Sequence, residues 1–173
     1  MFINLMEMKM DRKEKTCCFS GHRDITATEY PDIAYQLEVK IFELISQGVT
    51  SFYDGGAIGF DTLAAKTVIK AKKIFPHVKL NLILPCKDQD KKWKEPDRNE
   101  YKEILCKADH IEYVSERYTR DCMFLRNRRL VDSSSVCLCY LTKNKGGTAY
   151  TVEYAKNQGV RIINIAEEKE WIR

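Results

Sequence analysis

Short apolar runs alternate with amphipathic segments along most of the chain, and this alternation constrains the fold more than any other feature. Six runs have the length and composition of buried strands: residues 16–20, 51–54, 79–85, 110–115, 135–140 and 160–165. After the first run, apolar side chains recur at helical spacing at Ile33, Leu37, Ile41, Leu44 and Ile45. Gly48 supplies a stop for that helix. Similar patterns predict helices near residues 58–74, 97–107, 120–132 and 148–158.

The repeated strand–helix order predicts an α/β fold. We expect a single Rossmann-like domain, with a mostly parallel sheet of about six strands and helices on both faces. A length of 173 residues with 44% hydrophobic content suits one domain with a substantial core. The domain is predicted to span residues 16–173, with residues 1–15 as a flexible N-terminal tail. No apolar stretch reaches membrane-spanning length or resembles a signal peptide, so we expect a cytoplasmic protein.

The net charge and the cysteine content limit the classes of function that this chain can have. Lys and Arg number 29 against 25 Asp and Glu, and this small, dispersed excess argues against a dedicated nucleic-acid or membrane binder. Seven cysteines without a CxxC pair indicate reduced thiols. Four of them lie in strand-like runs, where they are predicted to pack as small hydrophobes: Cys17, Cys18, Cys137 and Cys139. No metal site is predicted, and no cofactor is required.

Three loops between strands and helices are polar and contain glycine. Their candidate ligand-binding residues are Ser20, Gly21, His22 and Arg23; Gly55, Gly56, Gly59 and Asp61; and Gly146, Gly147 and Thr148. In a parallel sheet these loops share the carboxyl edge, where such sheets bind ligands. None matches GxGxxG or GxxxxGK[ST], which argues against a dehydrogenase or a P-loop enzyme. His22 is predicted to form hydrogen bonds within its loop rather than to act in catalysis.

The charges of the loops predict the class of ligand. Arg23 and Lys145 lie beside exposed backbone donors and helix starts, which suit phosphate. Asp54 and Asp61 would repel phosphate but could accept hydrogen bonds from ribose hydroxyls or a base amine. We therefore expect a nucleotide or a nucleotide derivative. Asp61 has an equally good structural explanation, as a first-turn carboxylate that favours the helix dipole.

The helix predicted near residues 120–132 adds two polar candidates. Its buried arc is predicted to comprise Met123, Phe124, Leu130 and Val131. Asn127 falls near the middle of this arc, and Arg126 lies just beyond its edge. An unpaired buried polar group costs roughly 1–3 kcal/mol, so both side chains need partners. We predict that they face the crevice and bind ligand. The alternative is that Asn127 bonds a loop backbone and Arg126 pairs with a surface carboxylate.

Five motifs, in order along residues 16–165, resemble the YpsA-like family of the SLOG superfamily: CFSGHR, DGGAIGFDTLAA, WKEPDRNEY, MFLRNRRLVDSS and GGTAYTVEYA. That superfamily also contains the Lonely-guy phosphoribohydrolases and the Smf-type (DprA) DNA-processing proteins. The resemblance implies a bacterial protein with a Rossmann-like fold and a nucleotide-derived ligand, such as ADP-ribose or NAD. By family analogy it also implies a homodimer.

Three functions follow from these residues. The leading hypothesis is a nucleotide-derivative binding protein, acting as a sensor or regulator. The second is a nucleotide N-glycosidase, in which Arg126 would hold phosphate and Glu153 would supply the catalytic carboxylate. In the Lonely-guy motifs, however, lysine stands where this chain has Asn127, and the glutamate follows the threonine by three residues rather than five. The third is a single-stranded nucleic-acid-binding or partner-recruiting module, which the small net charge disfavours.

Overall fold

All six predicted strands form, and they pair in parallel into one sheet. The computed structural model describes residues 13–167. Within that range the strands are β1 (Thr16–Gly21), β2 (Ser51–Asp54), β3 (Lys79–Leu84), β4 (His110–Tyr113), β5 (Val136–Tyr140) and β6 (Arg161–Asn164). Their spatial order is β4-β3-β2-β1-β5-β6. The chain thus builds outward from β1 to β4 and then returns to place β5 on the other side of β1.

The helices divide between the two faces of the sheet. They are α1 (Tyr30–Ser46), α2 (Phe60–Lys72), α3 (Glu95–Lys107), α4 (Cys122–Asp132) and α5 (Gly147–Asn157). Side chains of α1, α2 and α3 share one core with Cys17 and Phe19 of β1. Side chains of α4 and α5 share the other core with Cys18. Successive side chains of β1 therefore pack alternately into the two cores, one on each face of the sheet. The prediction of a Rossmann-like α/β domain is confirmed.

The order of the strands reverses between β1 and β5. The helix after β1 packs on one face, whereas the helix after β5 packs on the other. The loops that follow β1 and β5 therefore leave the carboxyl edge of the sheet in opposite directions. We call this place the switch point, and it is where open α/β sheets form a ligand crevice.

Some predictions concern the ends of the chain and the cysteines. Residues 1–12 of the predicted tail, and residues 168–173 of the predicted domain, lie outside the described range. Within the tail, the Lys15 carbonyl accepts hydrogen bonds from the Thr50 and Ser51 amides. No helix in residues 13–167 is long and apolar enough to cross a membrane. The four strand cysteines are buried, as predicted.

Candidate functional site

A cavity of about 270 Å³ opens at the switch point. It lies beyond the carboxyl end of β1, with the start of α2 on one side and α4 and α5 on the other. Nine predicted ligand-binding residues line it: Ser20, Gly21, His22, Arg23, Asp61, Arg126, Asn127, Gly147 and Thr148. Four others do not: Gly55, Gly56, Gly59 and Gly146. The fold thus brings the first loop, α4 and the start of α5 to one cavity, whereas the glycines of the middle loop and Gly146 do not line it.

A buried ion pair forms one wall of this cavity. Arg126 of α4 is 5% exposed, and its Nη1 donates to Asp61 Oδ2 at 3.2 Å. Asp61 is in the first turn of α2, so the pair joins helices on opposite faces of the sheet. Asp61 Oδ2 also accepts a hydrogen bond from the Ala57 amide at 3.3 Å. We assign Asp61 as ionised, because a carboxylate that accepts two such bonds is favoured over the neutral acid.

The predicted buried arc of α4 is confirmed at Leu130 and Val131 but was wrong at Phe124 and Arg126. Arg126 is buried within the helix face together with Cys122, Leu130 and Val131, whereas Asn127 is only partly buried. Phe124, predicted to be in the core, is 47% exposed. A guanidinium alone would be expelled from this position, but Asp61 compensates its charge and makes burial tolerable.

The middle-loop glycines make room for the protein's own atoms. A Cβ on Gly55 would lie 1.5 Å from Arg126 Nη1. A Cβ on Gly56 would lie 2.5 Å from Leu84, and one on Gly59 would lie 2.1 Å from the Arg23 carbonyl oxygen. Close packing therefore accounts for all three glycines without a ligand.

Asp54 is also out of reach of a ligand, contrary to its predicted role. It is fully buried, and its Oδ1 accepts from the Gly56 amide at 2.6 Å. Its Oδ2 is enclosed and has no hydrogen-bond partner within residues 13–167. Burial, followed by the charge of Asp61, raises the pKa of Asp54 well above its ordinary value. Burial raises the pKa of Asp61 as well, against the opposing effect of Arg126.

His22 links the first and third loops. Its Nε2 accepts a hydrogen bond from the Thr142 amide at 3.0 Å, so the ring is neutral and carries its proton on Nδ1. Burial, followed by the nearby Lys143, lowers the pKa of His22. Gly21 next to it is required by packing, because a Cβ there would lie 2.2 Å from the Phe60 ring. The geometry of His22 is that of a hydrogen-bonding loop residue.

The start of α5 presents bare backbone to the cavity. Gly147 and Thr148 line the cavity, and no side chain within the described residues caps this helix. The nearest atom to a Cβ on Gly147 would be Asn127 Nδ2 at 4.0 Å, so the space in front of it is open. The first amides of a helix lack intrahelical acceptors and lie at the positive end of the helix dipole, which makes this end suited to an anion.

The structure does not bring the two candidate catalytic residues together. Glu153 is exposed on α5 and lines a separate, open depression of about 600 Å³. The residue three positions after Thr148 is Thr151, whose Oγ1 donates to the Gly147 carbonyl at 2.8 Å. The position that carries a glutamate in the Lonely-guy motif is therefore occupied here by a hydroxyl bonded to the helix backbone.

Sequence reasoning missed an aromatic and cationic cluster at the rim of the cavity. Phe124 lines the cavity and packs edge-on against Tyr150, with ring centroids 5.0 Å apart. Tyr150 stacks on Tyr154, and the Arg128 guanidinium lies 5.9 Å and 5.6 Å from the two ring centroids. Arg128 had no predicted role. The i, i+4 spacing of the two tyrosines was the available sequence signal.

Comparisons with known proteins agree with this architecture. The family model described as the YspA SLOG family matches residues 19–165. A UPF0398 protein of Halalkalibacterium halodurans is 32% identical over 161 residues, covering 88% of this chain and 82% of that protein. A UPF0398 protein of Bacillus cereus is 30% identical over 150 residues, covering 78% and 82% respectively.

Two solved structures share the fold. DNA processing protein A of Helicobacter pylori, whose structure is described as showing a single-stranded DNA binding mode, matches with a TM-score of 0.63 at 18% identity. The match covers 90% of this chain and 66% of that one. DNA processing protein A of Streptococcus pneumoniae matches with a TM-score of 0.65 at 16% identity, covering 87% and 50%. This chain thus spans between half and two thirds of those proteins.

Proposed function

We propose that this chain, which belongs to the YspA SLOG family, binds a nucleotide or an ADP-ribose-like derivative in the switch-point cavity, as a binding protein or regulator. The observation that carries the proposal is the uncapped start of α5, where Gly147 and Thr148 face the cavity. We assign a phosphate group of the ligand to these amides.

The charges around the cavity support this placement. Arg126 is neutralised by Asp61, and His22 is neutral, so neither offers a free positive charge. The dipole of α5 supplies the attraction inside the cavity, and the exposed Arg23 supplies it at the rim. The cavity volume of about 270 Å³ is close to the lower end of the range typical of ligand pockets, roughly 300–1,000 Å³. A mononucleotide portion is therefore the expected occupant.

Isothermal titration calorimetry with AMP, ADP-ribose and NAD tests the proposal. Gly147→Ala places a methyl group in the open space in front of the helix start, where it would displace phosphate, and it should weaken binding at least tenfold. The substitution meets no protein atom closer than 4.0 Å, so the fold should be retained. Glu153→Gln is the matched control on the same helix, outside the cavity, and should leave binding unchanged.

The same titrations can refute the proposal. If folded protein gives no heat with any of the three ligands at millimolar concentration, the proposed function fails. If Gly147→Ala binds as tightly as the unmodified protein, the phosphate is not at the start of α5. Incubation with nucleoside monophosphates checks the N-glycosidase alternative, for which base release that disappears in Glu153→Gln would be required.

Single-stranded nucleic acid is the second candidate ligand, and the rim cluster is the observation that favours it. Phe124 is exposed, whereas Tyr150 and Tyr154 are partly buried. An exposed aromatic ring next to an arginine can stack on a base. The shared fold with the two DNA processing proteins weakens the expectation, drawn from net charge, that nucleic acid is not a ligand. We expect fluorescence anisotropy of a labelled oligonucleotide to rise on addition of protein at low salt and to fall with added salt.

A matched pair of variants distinguishes base stacking from nonspecific binding to exposed apolar side chains. Phe124→Ala should weaken oligonucleotide binding by about 1–3 kcal/mol, the range for one stacked base. The neighbouring Leu125 is similarly exposed, at 49%, but does not line the cavity, so Leu125→Ala should have little effect. Equal losses in the two variants, or no binding at low salt, would remove this candidate.

A further inference from the structure

The Arg126–Asp61 pair is a donor and an acceptor held side by side on the cavity wall. Both residues line the cavity, although their side chains are only 6% and 7% exposed. They belong to helices on opposite faces of the sheet, and Gly55 leaves the space through which the guanidinium reaches the carboxylate. Such a pair is fixed in position by the fold and does not depend on a mobile loop.

Each partner keeps unused hydrogen-bonding capacity. Within residues 13–167, Arg126 uses Nη1 and Asp61 uses Oδ2. Arg126 Nη2 and Asp61 Oδ1 have no partner in that range, yet neither is among the fully enclosed unpartnered atoms. By contrast, Arg126 Nε is enclosed and without a partner in the same range. The Nη2 amino group of Arg126, as donor, and Asp61 Oδ1, as acceptor, therefore remain for a group in the cavity.

The charge of the pair selects what that group can be. Asp61 compensates the charge of Arg126, so a phosphate placed here would gain little from the guanidinium and would meet the carboxylate. A hydroxyl can both donate and accept, and two neighbouring hydroxyls match one donor and one acceptor lying next to each other.

We propose that Arg126 and Asp61 recognise the 2′,3′-diol of a ribose, so that this site takes ribonucleotides in preference to 2′-deoxyribonucleotides. One hydroxyl accepts from Arg126 Nη2, and the other donates to Asp61 Oδ1. This inference rests on the proposed function and specifies the orientation of the ligand in the cavity. The sugar lies toward α2, and the phosphate lies at the start of α5. Because Asp54 has a raised pKa and is enclosed, it adds no acceptor to the site.

Calorimetry with AMP, 2′-dAMP and 3′-dAMP on the full chain tests the inference without any substitution. Removing either hydroxyl leaves one member of a desolvated pair without its partner, so we expect each deoxy ligand to bind at least tenfold more weakly than AMP. Equal binding of AMP and both deoxy ligands would overturn the diol assignment and leave the proposed function standing. No binding of AMP, ADP-ribose or NAD would instead overturn the proposed function, and this inference with it.

A pair of substitutions locates the discrimination. Asp61→Asn alone leaves a buried guanidinium without its counter-ion and endangers folding, so the informative variant is Asp61→Asn combined with Arg126→Gln. It replaces a side chain that only donates and a side chain that only accepts by two neutral amides, each of which can both donate and accept. We expect AMP to bind less than about threefold more tightly than the deoxy ligands. The free-energy difference for a threefold preference, RT ln 3, is less than half of the 1.4 kcal/mol that corresponds to a tenfold preference. Full preference retained in this variant would assign sugar recognition to other residues. Glu153→Gln should keep the preference.

Discussion

Replacing Gly55 by alanine should destabilise the fold by disrupting the Arg126–Asp61 pair. The new Cβ would lie 1.5 Å from Arg126 Nη1 and 2.9 Å from Asp61 Oδ2. A separation of 1.5 Å is far shorter than any non-bonded contact between heavy atoms, so the guanidinium must move from its present position. The backbone at Gly55 does not have a positive φ, which means that alanine itself causes no conformational strain there. The cost therefore measures the loss of the Arg126–Asp61 pair.

The magnitude follows from the burial of both charges. Breaking a buried pair so that a charge is left without compensation costs about 3–5 kcal/mol. For a domain of 173 residues, each kcal/mol lowers Tm by roughly 2–4 °C. We therefore expect Tm to fall by roughly 6–20 °C. Such a loss is a large part of the roughly 5–15 kcal/mol that stabilises a typical domain.

Urea unfolding followed by circular dichroism provides the measurement. Gly147→Ala is the control, because the same methyl group is added where the nearest atom is 4.0 Å away, and its stability should be unchanged or slightly higher. A double-mutant cycle with Arg126→Met completes the test, since the cost of Gly55→Ala should fall by more than half once the guanidinium is absent. Equal costs of Gly55→Ala with and without Arg126, or a loss no larger than in the control, would refute the reasoning.

Three further predictions concern titration and reactivity. The raised pKa of Asp54 means that the folded state favours the protonated acid, so the stability that it contributes is lost as pH rises from about 4 through the folded pKa. Asp54→Asn keeps an acceptor for the Gly56 amide and should gain stability relative to the unmodified protein as pH rises; a constant difference in unfolding free energy would contradict this. His22 has a lowered pKa, so its contribution is complete above about 6.5 and is lost as pH falls through the folded pKa. NMR should show its imidazole titrating below the ordinary value, and His22→Ala should make the loss of stability on the acid side smaller by the contribution of His22. Of the seven cysteines, Cys106 is exposed and the other six are buried, so a thiol reagent should modify one group quickly in native protein and seven after unfolding.

The fold could be predicted from the sequence because its signals are local. Apolar runs of strand length and the helical spacing of Ile33, Leu37 and Ile41 both report on burial at the residues themselves. The orientation of α4 could not be predicted in the same way. A rule that places charged residues outside moves Arg126 out of the core and Phe124 into it. The compensating carboxylate is Asp61, 65 residues earlier, and only the three-dimensional structure brings the two together.

The middle-loop glycines show why a binding loop and a packing loop can have the same sequence. Removing Cβ atoms lets something come close to the backbone, and the sequence does not say whether it is a ligand or another part of the chain. Here Gly55 leaves space for the Arg126 guanidinium, and Gly59 leaves space for the Arg23 carbonyl. The loop therefore packs against residues that line the site and does not itself contact the ligand. The start of α5 differs, because Gly147 faces open space and its helix has no cap among the described residues. A glycine with nothing in front of its absent Cβ, at a helix start that lines a cavity, is the stronger indication of a ligand. We therefore place the anion at α5 and the sugar against the ion pair that Gly55 makes room for.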